Sequence, residues 1–322
     1  MKAVGKIKLG LLLAAVAVCG ASMAQQTYPT KAVKVIVPFP AGGVTDIGAR
    51  VVAEKLGQLL GQPFIIDNRP GAGTKLGTDA AIKSPKDGYT LYFSNTSYAI
   101  LPAIDPNPGY DAEKDLAAIG MICTYGLAIV VNPELPVKTL KEFIAYAKAK
   151  PGKVNYGSSG LGSGTHFAME QFKSMTRTYM VHIPFRSTSL AVAEVAAGRL
   201  DVTMDGAVKP FVDSGKVKIL AVTDTRRDPR FPQVPTVVEA GLPGYEQVAW
   251  LALFAPAGTP PEVISKLNKA LVDVGADPGV RARLADLGMT PLTGSPADLQ
   301  KRVHKDGTTY KKIATDLKIK LE

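Results

Sequence analysis

The sequence predicts an exported α/β protein of two lobes, each a mostly parallel sheet flanked by helices. Three observations carry this expectation. The N-terminus has the form of an export leader, the remaining length exceeds one comfortable core, and strand and helix patterns alternate to the end of the chain.

The leader comes first in the chain. Lys2, Lys6 and Lys8 make a positive stretch with no acid, and residues 9–18 are an apolar run too short to cross a bilayer as a stable helix. Ser22, Met23 and Ala24 have the small-x-small form of a cleavage site, so cleavage is expected after Ala24. A rival reading of Cys19 as a lipidated cysteine meets Val18 where a small residue would be wanted. Residues 25–322 remain and contain no second run long enough for a transmembrane helix. That length makes two lobes the default.

Composition narrows the function classes. At 46% hydrophobic and 20% charged, the chain can bury a core and carries no low-complexity tract. The net charge of +10 falls to +7 without the three leader lysines. Positive residues are dispersed except over 301–320, which reads as a solvated helix face. Nucleic-acid binding would call for a basic stripe with interleaved aromatics, so no nucleic-acid partner is expected. A mild positive field would help anions arrive. Cys123 is the only cysteine left after cleavage; no internal disulfide can form, and beside Ile122 it reads as a small buried hydrophobe.

Along the chain, residues 34–39 read as a buried strand, and Ile47, Val51, Val52, Leu56, Leu59 and Leu60 recur at helical spacing after a Gly-Gly turn. Residues 64–66 and 89–93 read as strands around a short helix at 78–82, and 127–131 is a further strand. Thr139 and Glu142 have the spacing of a capping box, opening a helix that Pro151 and Gly152 stop. Strands are expected at 154–156, 180–183, 200–204 and 217–222, with a helix from Phe167 and an alanine-rich one at 190–197. A connector rich in proline and glycine spans 228–244. Beyond it come a strand at 250–254, a second capping box at Thr259 and Glu262, and two or three closing helices. Strand–helix alternation predicts parallel sheets, whose ligands bind beyond the carboxyl ends of the strands.

Two loops at such ends could carry chemistry. The first, Pro-Phe-Pro-Ala-Gly-Gly-Val-Thr-Asp at 38–46, contains Phe39, Ala41, Gly42, Gly43, Thr45 and Asp46. Its glycines permit a tight turn and close backbone approach, Thr45 or Asp46 is placed to cap the helix, and first-turn amides would attract an anion. A plain two-glycine turn fits the same residues. The second, at 157–166, packs four glycines and four hydroxyls into ten residues, including Ser159 and Gly160, and ends on His166. Hydroxyls and bare amides suit a carboxylate when no cation is supplied; a ligand-free flexible loop is the alternative.

Enzyme signatures fail one by one. Neither loop holds the phosphate-loop pattern, and Leu161 stands where a nucleophile elbow on Ser159 would need glycine. His166, His182 and His304 lie at no metal-ligand spacing from one another or from a cysteine, so no metal or cofactor is expected. His166 reads as a hydrogen-bonding residue at a helix start.

The chain also resembles a known family. The matching segments are Val-Pro-Phe-Pro-Ala-Gly-Gly-Val-Thr-Asp at 37–46, Asn-Arg-Pro-Gly-Ala-Gly at 68–73, Asp-Gly-Tyr-Thr-Leu at 87–91, Lys-Pro-Gly-Lys at 150–153 and Tyr-Gly-Ser-Ser-Gly at 156–160. His-Ile-Pro at 182–184, Val-Pro-Thr at 234–236, Glu-Ala-Gly-Leu-Pro-Gly-Tyr-Glu at 239–246 and Leu-Phe-Ala-Pro-Ala-Gly-Thr-Pro at 253–260 complete them. In order and coverage this resembles the Bug (Bordetella uptake gene), or TctC-like, receptors, the solute-binding proteins of tripartite tricarboxylate transporters.

The resemblance implies a type II-like periplasmic binding protein whose two lobes, 25–126 with 246–322 and 127–245, join by a double crossover and close on a ligand. It implies a small organic carboxylate as ligand, permease subunits in the membrane as partners, and a monomer in the periplasm. Capture without catalysis follows from the same likeness. It carries Ala41, Gly42, Gly43, Thr45 and Asp46 to a first ligand loop, Ser159, Gly160 and His166 to a second, and Asp205 to the segment after the strand at 200–204. Phe185-Arg186-Ser187, Leu251-Ala252 and Thr74-Lys75 depart from the usual family residues, which leaves ligand identity open. A sensor serving a signalling partner would share this fold and pocket; a secreted enzyme would need an unrecognised site.

Overall fold

Runs of branched and aromatic residues supply the sheet centres. The computed structural model describes residues 28–319, so the expected leader and its cleavage site lie outside the described residues. The first sheet contains β1 (Val33–Val37), β2 (Phe64–Asn68), β3 (Thr90–Asn95), β4 (Leu116–Gly126), β10 (Val248–Pro256) and β11 (Met289–Pro291), in the order β2-β1-β3-β10-β4-β11. The second contains β5 (Ala128–Val131), β6 (Asn155–Ser158), β7 (Val181–Pro184), β8 (Val202–Asp205) and β9 (Lys218–Val222), in the order β7-β6-β8-β5-β9. Helices pack around both, giving the two-lobe α/β architecture.

The pairing is mixed, where βα alternation alone predicts mostly parallel sheets. β1 runs parallel to β2 and β3, and β6 parallel to β7 and β8. β10 is antiparallel to β3 and β4, β11 to β4, and β5 to β8 and β9. The reason lies in the connections. β5 and β10 each begin where the chain crosses between the sheets, so they run opposite to the strands that end there.

The chain crosses between sheets twice. Leu127 alone separates β4 from β5, and residues 223–247 make the return to β10. Thr223, fully buried, ties the two crossings together: its Oγ1 accepts from Leu127 N–H at 2.8 Å and donates to the Gln247 carbonyl at 2.6 Å. The 11-residue β4 and the helix α3 (Ser97–Ile104) escape the sequence pattern, because Gly120 interrupts one and Pro102 lies inside the other.

Core clusters follow the sheets. Tyr92, Tyr98, Trp250 and Phe254 fill the first, and Val130, Val192, Val195 and Phe231 fill the second. The Trp250 indole N–H donates to Asp306 Oδ2 at 2.7 Å, satisfying a polar atom that burial would otherwise penalise. A third cluster joins Ile100 of α3, Phe167 of α5 (Gly164–Thr176) and Tyr310 of α10 (Pro296–Asp316), so helices from both lobes share apolar contact. Along α10, Leu299, Val303, Asp306, Tyr310 and Ala314 are buried while Lys301, Lys305, Lys311 and Lys312 are exposed, the solvated face that the lysine pattern implies. Cys123 is buried, which pushes its thiol up to about 12.

The two proposed capping boxes fare differently. Thr139 accepts from Glu142 N–H, but the Glu142 carboxylate takes the N–H of Lys138 rather than that of Thr139. Thr259 does not cap α8 (Pro261–Ala276): its hydroxyl donates to the Pro256 carbonyl, and Pro260 occupies the cap position. A reciprocal box forms instead between Ser295 and Asp298 at the start of α10.

Candidate functional site

Four helix starts meet in one cleft between the sheets. β1 leads through residues 38–43 into α1 (Val44–Leu60), β3 into α3, β6 into α5, and β7 into α6 (Thr188–Ala196). Gly43, Val44 and Thr45 of the first turn line a cavity of about 60 Å³, as do Ser97, Gly164 and Thr165, and Ser187 and Thr188 from the other three. Phe39, Pro40, Ile100, Tyr125 and Tyr310 give it apolar walls, and Asn95, Ser159, Asp205 and Gln247 add polar groups. Among the described residues, no lysine, arginine or histidine lines it. An anion there would be met by helix starts, each equivalent to about half a positive charge at short range.

The first loop works through its backbone. α1 starts at Gly43 with no side-chain cap, leaving first-turn amides to meet an anion. Thr45 Oγ1 accepts from Asn95 Nδ2 at 2.9 Å, which fixes both polar groups at the cavity wall. Asp46 faces away. It accepts from Gly42 N–H at 2.9 Å, from Arg50 at 2.9 and 3.0 Å, and from Asn68 at 2.9 Å. Burial alone would raise its pKa, but the bonds from Arg50, Gly42 and Asn68 outweigh that and hold it below the usual value. Gly42, at φ +85°, makes the turn that lets Asp46 reach back.

The second loop is braced internally. Ser163 caps α5, accepting from His166 N–H at 3.2 Å and donating to the Gly160 carbonyl at 2.7 Å. Ser159 N–H donates to Thr165 Oγ1 at 3.1 Å. His166 sits behind the loop: its Nδ1 accepts from Gly162 N–H at 3.3 Å, and its ring stacks on His182 at 4.4 Å, which in turn stacks on Tyr156 at 4.8 Å. Burial lowers both histidines to about 4, so both are neutral near pH 7.

Contacts also span the cleft. Gly164 N–H donates to Ser97 Oγ at 3.0 Å, and Gly73 lies so close to the Leu161 carbonyl oxygen that a β-carbon there would stand 2.5 Å from it.

Asp205 ends β8 inside the cavity and is 1% exposed. Its Oδ1 accepts from Ala207 N–H at 2.6 Å, while among the described residues no donor stands within hydrogen-bond geometry of Oδ2. Burial raises its pKa, against the Thr188 hydroxyl, the Ala207 and Gly206 amides and the Arg230 charge, which lower it.

Of the sequence candidates, Phe39, Gly43, Thr45, Ser159 and Asp205 line the cavity. Ala41, Gly42, Asp46, Gly160 and His166 do not. Ala41 and Gly42 are exposed on the turn, Asp46 is drawn to Arg50 and Asn68, Gly160 braces Ser163, and His166 is stacked behind the loop. Asn95, Ser97, Ser187, Thr188, Gln247 and Tyr310 were missed. The run Ser187-Thr188-Ser189 before an alanine-rich helix was the available signal for two of them. A wider depression of about 750 Å³ near Arg226 and Lys305 lacks this convergence of helix starts.

Comparison with known proteins agrees with this fold. The model of the tripartite tricarboxylate transporter family receptor matches residues 48–319. The chain is similar to protein BugT of Bordetella pertussis, 36% identical over 292 residues that cover 89% of each. Among solved structures it is similar to R. palustris Rpa4515 with adipate, at TM-score 0.87 and 33% identity, covering 90% of this chain and 98% of that one. It is also similar to MatC from Rhodopseudomonas palustris with bound malate, at TM-score 0.85 and 30% identity, covering 89% and 99%.

Proposed function

The chain belongs to the Bug/TctC family of tripartite tricarboxylate transporter receptors, and from that premise we propose that it captures a small organic carboxylate between its lobes and delivers it to a membrane permease. The observation that carries this reading is the meeting of four helix starts in a cavity that no cationic side chain lines among the described residues. Amides and hydroxyls are arranged there to take an anion. Adipate in one relative and malate in another are ligands of the same class.

The energetics suffice. Charge-assisted hydrogen bonds contribute roughly 1.5–3 kcal/mol each, so four or five gross about 6–15 kcal/mol before ordering costs. Micromolar binding needs about 8 kcal/mol. No buried arginine–carboxylate pair is required.

In this reading the leader directs the protein to the periplasm, where it acts as a monomer. The lobes divide into 25–126 with 246–322 and 127–245, with the Thr223-linked crossings as hinge, and closure creates the surface that the permease reads.

The test is ligand-induced thermal stabilisation over a panel of small carboxylates, with mass spectrometry of whatever co-purifies. Gly43→Trp places an indole in the cavity at a residue whose added β-carbon would meet only the Pro40 carbonyl oxygen, at 3.8 Å. Its unliganded melting should stay near wild type while stabilisation by acids disappears. Retained stabilisation in that folded variant would remove this loop from the site.

A further inference from the structure

The second ligand loop is held from behind, by side chains outside the cavity. Gly160 and Gly162 stand at φ +103° and +75°, backbone that glycine enters and leaves freely, so the loop needs an outside brace. Gly162 N–H donates to His166 Nδ1 at 3.3 Å. Gly160 N–H donates to Ser158 Oγ at 3.1 Å, and that oxygen lies 2.7 Å from His182 Nε2. The two imidazoles stack at 4.4 Å. Next in the chain come Ser163, which caps α5, and Gly164 and Thr165 of the cavity wall.

The bond at Gly162 requires a neutral ring. Because an amide donates to Nδ1, that nitrogen is bare and the single ring proton belongs on Nε2. A second proton would set one donor against another. The surroundings also oppose it: His166 is buried, sits in the positive first turn of α5, and stacks on a second imidazole. Among the groups that act on the pair, Lys173 of α5 disfavours the charge and Glu170 favours it. Glu170 is held by Lys173 at 2.6 Å and by the Tyr156 hydroxyl of β6.

Resting on the carboxylate-capture reading, we propose that His166 is a positioning residue for the ligand: its neutral ring holds Gly162, and so aims the first turn of α5 at the anion, and a proton on that ring lets the loop go. A released loop admits water to the ring, so the proton is taken up more readily when no acid is bound. The sign follows from that difference. Binding is at full strength above the ordinary 6.5 and weakens as pH falls toward about 4, where burial holds the ring in the closed cleft.

The test is titration calorimetry with malate, succinate, adipate and pyruvate on wild type, His166→Asn and His166→Leu. Asparagine offers Oδ1 to Gly162 N–H and does not titrate, whereas leucine offers no acceptor. At neutral pH the asparagine variant should bind the tightest of these acids within about twofold of wild type, and the leucine variant about fivefold or more weaker. From about pH 7.5 to about 4.5, the wild-type dissociation constant should rise about fivefold or more relative to that of the asparagine variant. Titration of the acid itself and of Asp205 cancels in that ratio. A constant ratio overturns the inference and leaves carboxylate capture standing, as does a leucine variant that binds like wild type. If the leucine variant melts abnormally, the asparagine ratio decides. If none of the acids binds, carboxylate capture falls, and exchange of the Gly162 amide in the free protein, followed by NMR, decides this inference. It should quicken in wild type relative to His166→Asn as pH falls; equal exchange overturns it.

Discussion

Gly73→Ala tests whether the observed approach of the two lobes belongs to the ligand-bound form. Gly73 sits in the short turn Ala72–Thr74 at φ +63°, and an added β-carbon would stand 2.5 Å from the Leu161 carbonyl oxygen. Ordinary contact begins at 3.4 Å, so the loops must part by about 0.9 Å. Both sides of the contact are backbone, and neither has a flexible side-chain end to swing aside. Two costs result. Left-handed backbone costs alanine about 1–2 kcal/mol whether the cleft is open or closed, and should lower unliganded melting by a few degrees. The clash acts only where the lobes meet, and should weaken acid binding by about tenfold or more in titration calorimetry. Gly42→Ala separates the two: at φ +85° it carries the same strain, but its β-carbon meets nothing within 4 Å. If Gly73→Ala melts lower yet binds like wild type, or if Gly42→Ala loses as much affinity, the reasoning is refuted.

Two further perturbations read the scaffold around the site. Thr223→Val strips both buried hydrogen bonds between the crossings, leaving Leu127 N–H and the Gln247 carbonyl unpaired; roughly 2–5 kcal/mol should be lost in urea unfolding, with the slope unchanged. His166 and His182 are held at about 4 when folded against an ordinary 6.5, so their neutral packing favours folding fully above 6.5 and that contribution is lost as pH falls toward 4. Faced by Tyr156, Ser158, Glu170 and Lys173, the pair should make melting fall across that window, and His182→Gln should flatten the fall; an unchanged pH profile would count against it.

Local periodicity made β1, the Gly42-Gly43 turn and α1 readable, because a buried run, two glycines and a 3.6-residue repeat are all short-range features. The same holds for the glycine- and serine-rich loop after β6. Mixed pairing was not readable, since the antiparallel runs of β5 and β10 follow from where the chain crosses between lobes rather than from their own residues. Ser97 looks like any helix-start serine until α5 brings Gly164 within 3.0 Å. Tyr310 reaches the cavity from a helix that begins more than a hundred residues beyond the second loop. Asp46 and His166 were misplaced for the converse reason: Asn68 from β2 claims one carboxylate, and His182 from β7 stacks on the other ring. Short-range pattern is enough to mark which turns can expose amides to an anion. Which of those turns share a cleft, and which side chains point into it, depends on sheet order and on partners distant in the chain, and only the folded packing supplies both.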